Sequence, residues 1–101
     1  MSERALTMKL MDGLYGVCRF NSDEAIPEWV FQSSFYSVTK TLDELSVVCS
    51  QDSIPNKIKC EKDWRILRVE GPLDFSLIGI LSSISTTLAN KGISIFAIST
   101  Y

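Results

Sequence analysis

The segment from Trp64 to Thr100 constrains the fold most, because it predicts a strand, a helix and a second strand in succession. Trp64–Glu70 and Ile93–Thr100 are short apolar runs with strand character. Residues 75–91 predict a helix that ends at Lys91-Gly92, since glycine readily takes the left-handed conformation that follows a helix. The apolar residues at helical spacing are Leu77, Ile80 or Leu81, Ile84 and Leu88. We expect a βαβ unit with a right-handed crossover.

The N-terminal half predicts an antiparallel arrangement. Leu14–Phe20 alternates between two faces, as a half-buried strand does. Ser34–Thr41 and Glu44–Ser50 are rich in β-branched and aromatic residues, and the short Leu42-Asp43 connection between them predicts a hairpin. Leu6–Leu10 predicts a further short strand, which leads into a turn at residues 11–13.

Two further segments have less regular sequence patterns. Ile26–Trp29 predicts a single helical turn with Pro27 at its first position. Residues 51–63 form the most polar stretch and predict the joint between two halves, residues 1–55 and 56–101. Strands and helices in this mixture predict an α+β fold with an antiparallel sheet.

Charge and composition exclude several classes of partner. The net charge is −2, and the nearest approach to a basic cluster is Lys57, Lys59 and Lys62, so we expect no nucleic-acid partner. The longest uncharged run, Phe75–Asn90, is too short and too polar to cross a bilayer, so we expect no membrane partner. The three cysteines have no CxxC spacing and no export signal precedes them, which predicts reduced thiols in a cytoplasmic protein.

Catalytic motifs are absent from the sequence. The chain has no histidine, the commonest general base and metal ligand, and its cysteines lack zinc-site spacing. Neither a nucleophile elbow nor a phosphate-binding loop occurs. Asp74 and Glu70 could form an acid–base pair, but a helix cap and a strand-end charge explain them more simply. We therefore expect a non-enzyme without a metal or cofactor.

The run EGPLDFSLIG, residues 70–79, is the candidate binding segment. Asp74 stands just before the predicted helix, where a carboxylate can accept hydrogen bonds from free backbone N–H groups. Gly79 inside a helix costs about 1 kcal/mol relative to alanine, which indicates close approach of either a neighbouring strand or a ligand. Both explanations of Gly79 stay open.

The polar face of the same helix carries small uncharged residues instead of the usual Glu and Lys. This face predicts packing against another helix, from the first half or from a second chain, and a plain exposed face is the alternative. Its residues are Ser82, Ser83, Ser85, Thr86, Thr87 and Asn90.

The sequence resembles the ACT domain family of small regulatory amino-acid-binding modules. The matching features are Asp74, Gly79-Ile80-Leu81, the helix through Leu88 and the segment Gly92–Ile95. The longer string VEGPLDFSLIGIL…GISIFAISTY is similar to small stand-alone tandem-ACT proteins, which are related to the ACT repeats of aspartate kinases and of the cytosolic arginine sensor. The resemblance implies a ferredoxin-like sheet with helices mainly on one face, formed by a degenerate N-terminal half and a C-terminal half.

The resemblance also implies an effector site. Backbone N–H groups after Asp74 would take an amino-acid carboxylate, Asp74 would pair with its ammonium group, and Phe75 would cover its side chain. The implied ligand-binding residues are Asp74, Phe75, Ser76, Leu77, Ile78, Gly79, Ser99 and Thr100. Each residue also has a structural explanation as a helix cap, a core residue or a first-turn hydrogen-bonding group.

Two departures from the family pattern bear on these expectations. The spacing from Asp74 to Gly79 is longer than in the commonest ACT pattern, so we expect a different loop geometry. Tandem-ACT proteins continue beyond the position of Tyr101, which predicts a fragment or a partner strand from elsewhere, and self-association through an open edge. The leading prediction is an amino-acid-binding regulatory module that forms homo-oligomers. The alternative is an interaction module with the same fold and no working ligand site.

Overall fold

The computed structural model describes residues 7–70 and 77–98. The chain divides into two compact units, Met1–Val69 and Glu70–Tyr101. Within the described residues there are six strands and one α-helix. These are β1 (Thr7–Leu10), β2 (Tyr15–Phe20), β3 (Tyr36–Lys40), β4 (Leu45–Ser50), β5 (Cys60–Trp64), β6 (Leu67–Glu70) and α1 (Leu77–Asn90).

The first unit is built on a four-stranded sheet with the order β3-β4-β2-β5. All three strand pairs are antiparallel. β1 and β6 form a separate two-stranded sheet, and the N–H of Met11 extends this pairing by donating to the carbonyl of Ile66 at 2.9 Å.

One face of the four-stranded sheet carries the core. Cys18 of β2 and Val47 and Cys49 of β4 lie on this face and are buried. Val30 and Ile54, from the segments that flank the hairpin, cover them. The short 3₁₀ helices Glu28–Gln32 and Gln51–Ser53 hold those two segments against the sheet. The alternation that predicted a half-buried strand at Leu14–Phe20 is thus confirmed for residues 15–20.

The predicted hairpin is formed by β3 and β4, whose register runs from Tyr36 opposite Cys49 to Lys40 opposite Leu45. Its turn is closed by Thr41, whose N–H donates to the carbonyl of Glu44 at 2.9 Å. The Thr41 hydroxyl accepts hydrogen bonds from the N–H groups of Asp43 and Glu44 at 3.2 and 3.1 Å. These side-chain hydrogen bonds stabilise the turn, so that Leu42-Asp43 can occupy hairpin positions where Asn-Gly is more common.

The prediction of a single strand over Trp64–Glu70 is wrong, because two different strands share this range. β5 ends at Trp64 and pairs with β2, whereas β6 begins at Leu67 and pairs with β1. The predicted polar joint at residues 51–63 therefore supplies most of an edge strand. Charged residues at Glu61, Lys62 and Asp63 suit an edge strand, because charges discourage pairing with another chain.

A bulge sets the geometry of β5. The register against β2 shifts between Tyr15–Trp64 and Val17–Glu61, so Lys62 and Asp63 together face Gly16. Asp63 adopts a left-handed conformation with φ of 69°. Gln51 holds it there, because its Oε1 accepts from the Asp63 N–H at 2.6 Å and its Nε2 donates to Oδ1 at 3.3 Å.

The helical turn predicted within Ile26–Trp29 was expected to have Pro27 as its first residue, but it begins one residue later, at Glu28. Pro27 is extended, with φ −61° and ψ 141°, and precedes the 3₁₀ helix instead of opening it. The carbonyl of Pro27 accepts the first hydrogen bond of that helix, from Val30 N–H at 3.1 Å.

The second unit contains α1, which confirms the predicted helix within the described residues. Gly92 has φ of 72°. Its N–H donates to the carbonyl of Ala89 and that of Ile93 donates to the carbonyl of Leu88, both at 2.9 Å. This pair of bonds is the glycine-terminated cap that Lys91-Gly92 predicted.

The strand predicted for Ile93–Thr100 is not formed by residues 93–98, which carry no strand pairing. Residues 99 and 100 lie outside the described residues. An apolar alternating sequence becomes a strand only where a neighbouring strand satisfies its N–H and C=O groups, and no described strand pairs with this segment. The prediction of a second strand in the βαβ unit is therefore wrong for residues 93–98.

Candidate functional site

The predicted ligand-binding segment lies mostly outside the described residues. Asp74, Phe75 and Ser76 are outside them, as are Ser99 and Thr100. Leu77 and Ile78 open α1, and Gly79 is its third residue. The structure therefore describes only the helical edge of this site, and the site remains a prediction.

Gly79 lies on an exposed part of the first turn of α1. A Cβ built on it would meet no described atom within 4 Å. The first turn of α1 carries no acidic side chain, so no carboxylate of that turn compensates the positive end of the helix dipole. A helix start of this kind has the electrostatic character that suits an anionic group.

The small polar residues of α1 satisfy part of their hydrogen bonding within the helix. The Thr87 hydroxyl donates to the carbonyl of Ser83 at 3.0 Å, and the Ser85 hydroxyl donates to that of Ser82 at 3.2 Å. Because these hydroxyl groups already donate hydrogen bonds within the helix, they need fewer hydrogen bonds to water. Such a face is compatible with close packing. Whether a partner covers this face stays a prediction.

A groove in the first unit offers a second polar surface. It has a volume of about 540 Å³ and lies where β2 ends, beside the β3–β4 turn and the loop before β5. The residues that line it are Arg19, Phe20, Asn21, Glu24, Asp43, Lys57, Ile58 and Lys59.

Two charged groups of this groove already have partners in the chain. Arg19 Nε lies 2.7 Å from Glu44 Oε1, and Glu24 Oε2 accepts from the Asn21 N–H at 3.0 Å. No sequence pattern predicts the groove, and the spacing of Lys57 and Lys59 is the nearest signal. Lys57 and Lys59 add two positive charges to the lining, and Asp43 adds one negative charge.

Three thiols lie on the core face of the four-stranded sheet. Cys18 of β2 is directly opposite Cys60 of β5, and Cys49 of β4 is directly opposite Gly16. Burial raises the pKa of Cys18 from 9.0 to about 12, with further contributions from Cys60 and Cys49. Burial also raises the pKa of Cys49. Cys18 and Cys49 are therefore protonated at neutral pH and are poor nucleophiles.

Residues 7–70 and 77–98 contain no other reactive cluster of this kind. All three cysteines are free thiols. Among the described residues, no group of His, Cys, Asp or Glu side chains is arranged to hold a metal ion. In the same part of the chain, every buried side-chain nitrogen or oxygen has a hydrogen-bond partner. No described helix is long and apolar enough to span a membrane.

Comparisons with known proteins identify the family. The profile for the ACT domain matches residues 59–101, and a profile that describes an N-terminal domain matches residues 13–57. No curated protein gives a significant match. The two matched ranges adjoin near residue 58, while the division into halves at residues 55 and 56 stays a prediction.

A solved structure supports the same assignment. The chain is similar to a protein from Agobacterium tumefaciens whose crystal structure was determined by the Northeast Structural Genomics Consortium. The two share 37% identity with a TM-score of 0.87, over 98% of this chain and 74% of that chain. The fold is α+β and ferredoxin-like, as predicted, and ACT domains are in general non-catalytic regulatory modules that bind small molecules. The chain belongs to the ACT domain family.

Proposed function

We propose that the protein is a non-catalytic regulatory module that binds an amino acid where α1 begins. The match of the ACT profile to residues 59–101 carries the proposal, because that range contains the whole candidate segment Asp74–Gly79. The exposed Gly79 and the absence of a first-turn carboxylate in α1 support an anion at this helix end.

The proposed recognition uses opposite charges at the two ends of an amino acid. Backbone N–H groups of Ser76–Gly79 would donate to the ligand carboxylate, and Asp74 would pair with the ammonium group. Phe75 would cover the ligand side chain, and Ser99 and Thr100 would add hydroxyl contacts. Occupancy would pass to a second ACT-like half or a second copy, which makes the module allosteric.

The non-enzyme part of the proposal rests on chemistry that the sequence lacks. There is no histidine anywhere in the chain. Two of the three thiols are buried, and the pKa of each is raised. The chain therefore lacks the commonest general base, and two of its three thiols are poor nucleophiles.

A thermal-shift panel of the proteinogenic amino acids tests the proposal. A ligand that binds only the folded protein raises its stability by RT ln(1 + [L]/Kd), about 2.7 kcal/mol at 100 times Kd. We expect one amino acid, or a chemically related group, to raise the melting temperature in a concentration-dependent way. No shift with any amino acid at millimolar concentration would refute amino-acid binding.

Variants locate the site. Gly79→Val places a branched side chain at the helix opening and should abolish the ligand-induced shift. Thr86→Val is the matched control, because it introduces the same residue at an exposed position two turns further along α1. If both variants respond to the ligand like the wild type, binding does not occur at the start of α1.

A second candidate function is an interaction module without a ligand site. It is favoured by the exposure of apolar side chains after α1, namely Ile93, Ile95, Phe96 and Ile98. Under this alternative the protein forms homo-oligomers in the cytoplasm through this segment or the small-residue face of α1. Concentration-dependent association without any ligand response would favour it, and a monomer with a ligand response would exclude it.

A further inference from the structure

The arrangement of the three thiols contains one pair within reach of a disulfide bond. Cys18 and Cys60 are directly opposite on antiparallel strands and share the core face. Residues in this relation have Cβ atoms about 4.5–5.5 Å apart, close to the separation of about 3.5–4.5 Å in a disulfide. Cys49 is only a diagonal neighbour of Cys18, and diagonal neighbours are about 7–8 Å apart. Cys18 therefore has one bonding partner.

The side chain of Cys60 is turned towards β2. Its Sγ lies 3.7 Å from the position that a Cβ on Gly16 would occupy. Position 16 lies two residues before Cys18 on the same face of β2, and as glycine it adds no side chain next to the two thiols. The Cys60 sulfur therefore lies on the side of β5 that faces β2, the strand that carries Cys18.

The three cysteines differ sharply in access to solvent. Cys18 is 1% exposed and Cys49 is 0% exposed, whereas Cys60 is half-buried on edge strand β5. An oxidant in solution therefore meets Cys60 first. Cys18 lies behind it as the resolving thiol, and Cys49 is out of reach of both the oxidant and the disulfide.

We propose that Cys60 is a peroxide-sensitive site that forms a reversible disulfide with Cys18. The Cys60 thiol releases its proton and its sulfur attacks a hydroperoxide, so that a sulfur–oxygen bond forms and the oxygen–oxygen bond breaks. The departing alkoxide or hydroxide takes up a proton and leaves as an alcohol or water. The Cys18 sulfur then attacks the Cys60 sulfenic acid; the sulfur–oxygen bond breaks, and the departing hydroxide takes the Cys18 proton as water. Two thiols are oxidised to one disulfide while one hydroperoxide is reduced.

The disulfide would tie β5 covalently to β2. β5 is the edge strand that leads through Arg65 and Ile66 into β6, and it lies at the start of the range matched by the ACT profile. Oxidation thus fixes the strand that enters the C-terminal part of the chain. This effect does not depend on amino-acid binding.

Peptide mapping by mass spectrometry tests the proposal directly, because trypsin separates the three cysteines. Their peptides are Leu10–Arg19, Thr41–Lys57 and Cys60–Lys62. The folded wild-type protein is treated with hydrogen peroxide, alkylated in denaturant and digested. We expect Leu10–Arg19 and Cys60–Lys62 to be cross-linked with the loss of two hydrogens, Thr41–Lys57 to be alkylated, and dithiothreitol to release the cross-link.

Variants separate the roles of the thiols. Cys60→Ser should leave Cys18 reduced, whereas Cys49→Ala should retain the Cys18–Cys60 cross-link. Cys18→Ala should stop the oxidation at Cys60 as a sulfenic acid that dimedone traps. Protein oxidised in denaturant is the control for geometry and should give a mixture of pairings. A Cys18–Cys49 bridge, or wild-type Cys60 that over-oxidises without bridging, would overturn the proposal.

Discussion

Replacement of Gly16 by alanine tests how closely Ile54 covers the four-stranded sheet. A Cβ at position 16 would lie 2.5 Å from Ile54 Cδ1, well inside contact distance, and 3.5 Å from the carbonyl oxygen of Glu61. Ile54 is buried at 7% exposure, so its side chain has little room to move. Overfilling a packed core costs about 1–3 kcal/mol, and removing a glycine returns about 0.4–1 kcal/mol through the unfolded chain. We expect Gly16→Ala to lower the free energy of unfolding by about 1–2 kcal/mol.

A double-mutant cycle isolates the contact. Ile54→Val removes the Cδ1 atom that the new methyl group would strike, and alone it should cost about 0.5–1.5 kcal/mol. The double variant Gly16→Ala/Ile54→Val should therefore lose less stability than the sum of the single variants, by about 0.5 kcal/mol or more. Urea unfolding followed by tryptophan fluorescence measures each free energy.

Ile58 supplies the matched control for this cycle. It packs against the same core cluster and is not among the three nearest atoms within 4 Å of a Cβ at position 16. Gly16→Ala and Ile58→Val should therefore be additive within about 0.5 kcal/mol. Additivity in the Ile54 pair as well would refute the contact as the reason that position 16 is glycine.

Two further predictions concern buried polar groups. Ser33→Ala should cost about 1–3 kcal/mol, because the N–H of Ser50 loses its acceptor, a hydrogen bond of 2.9 Å. Exposed Ser34→Ala is its control, and equal unfolding free energies for the two variants would contradict this role. The unfolded chain ionises a thiol near pH 9.0, whereas Cys18 in the folded protein does so near 12. Stability should therefore fall as pH rises between these values, by up to about 1.4 kcal/mol per pH unit for this thiol. Cys18→Ala should reduce the slope, and an unchanged slope would contradict the assignment.

Local signals predicted the parts of the fold that short-range chemistry controls. The hairpin of Ser34–Ser50 follows from β-branched segments joined by a short polar turn, and Thr41 completes that turn with its own hydroxyl. The end of α1 follows from Gly92, which adopts the left-handed conformation that its position requires. These features depend on residues within a few positions of each other, so the sequence reveals them.

Features that depend on distant pairing were not predictable in the same way. The break between β5 and β6 arises because β2 pairs with one strand and β1 with the other, and no local pattern in Trp64–Glu70 encodes that choice. The meeting of Cys18 with Cys60 likewise requires the register of β2 against β5, including the bulge at Asp63. The ligand-binding prediction came from family resemblance, since Asp74 and Gly79 each have an ordinary structural explanation.

Binding of an amino acid where α1 begins can be tested by an NMR titration of isotope-labelled protein. The amino acid that gives the largest thermal shift is added stepwise, and the amide shifts are followed for each residue. We expect saturable changes concentrated in residues 74–79, with smaller changes at Ser99 and Thr100. Changes confined to the groove around Arg19, Lys57 and Lys59, or no saturable change at all, would contradict it.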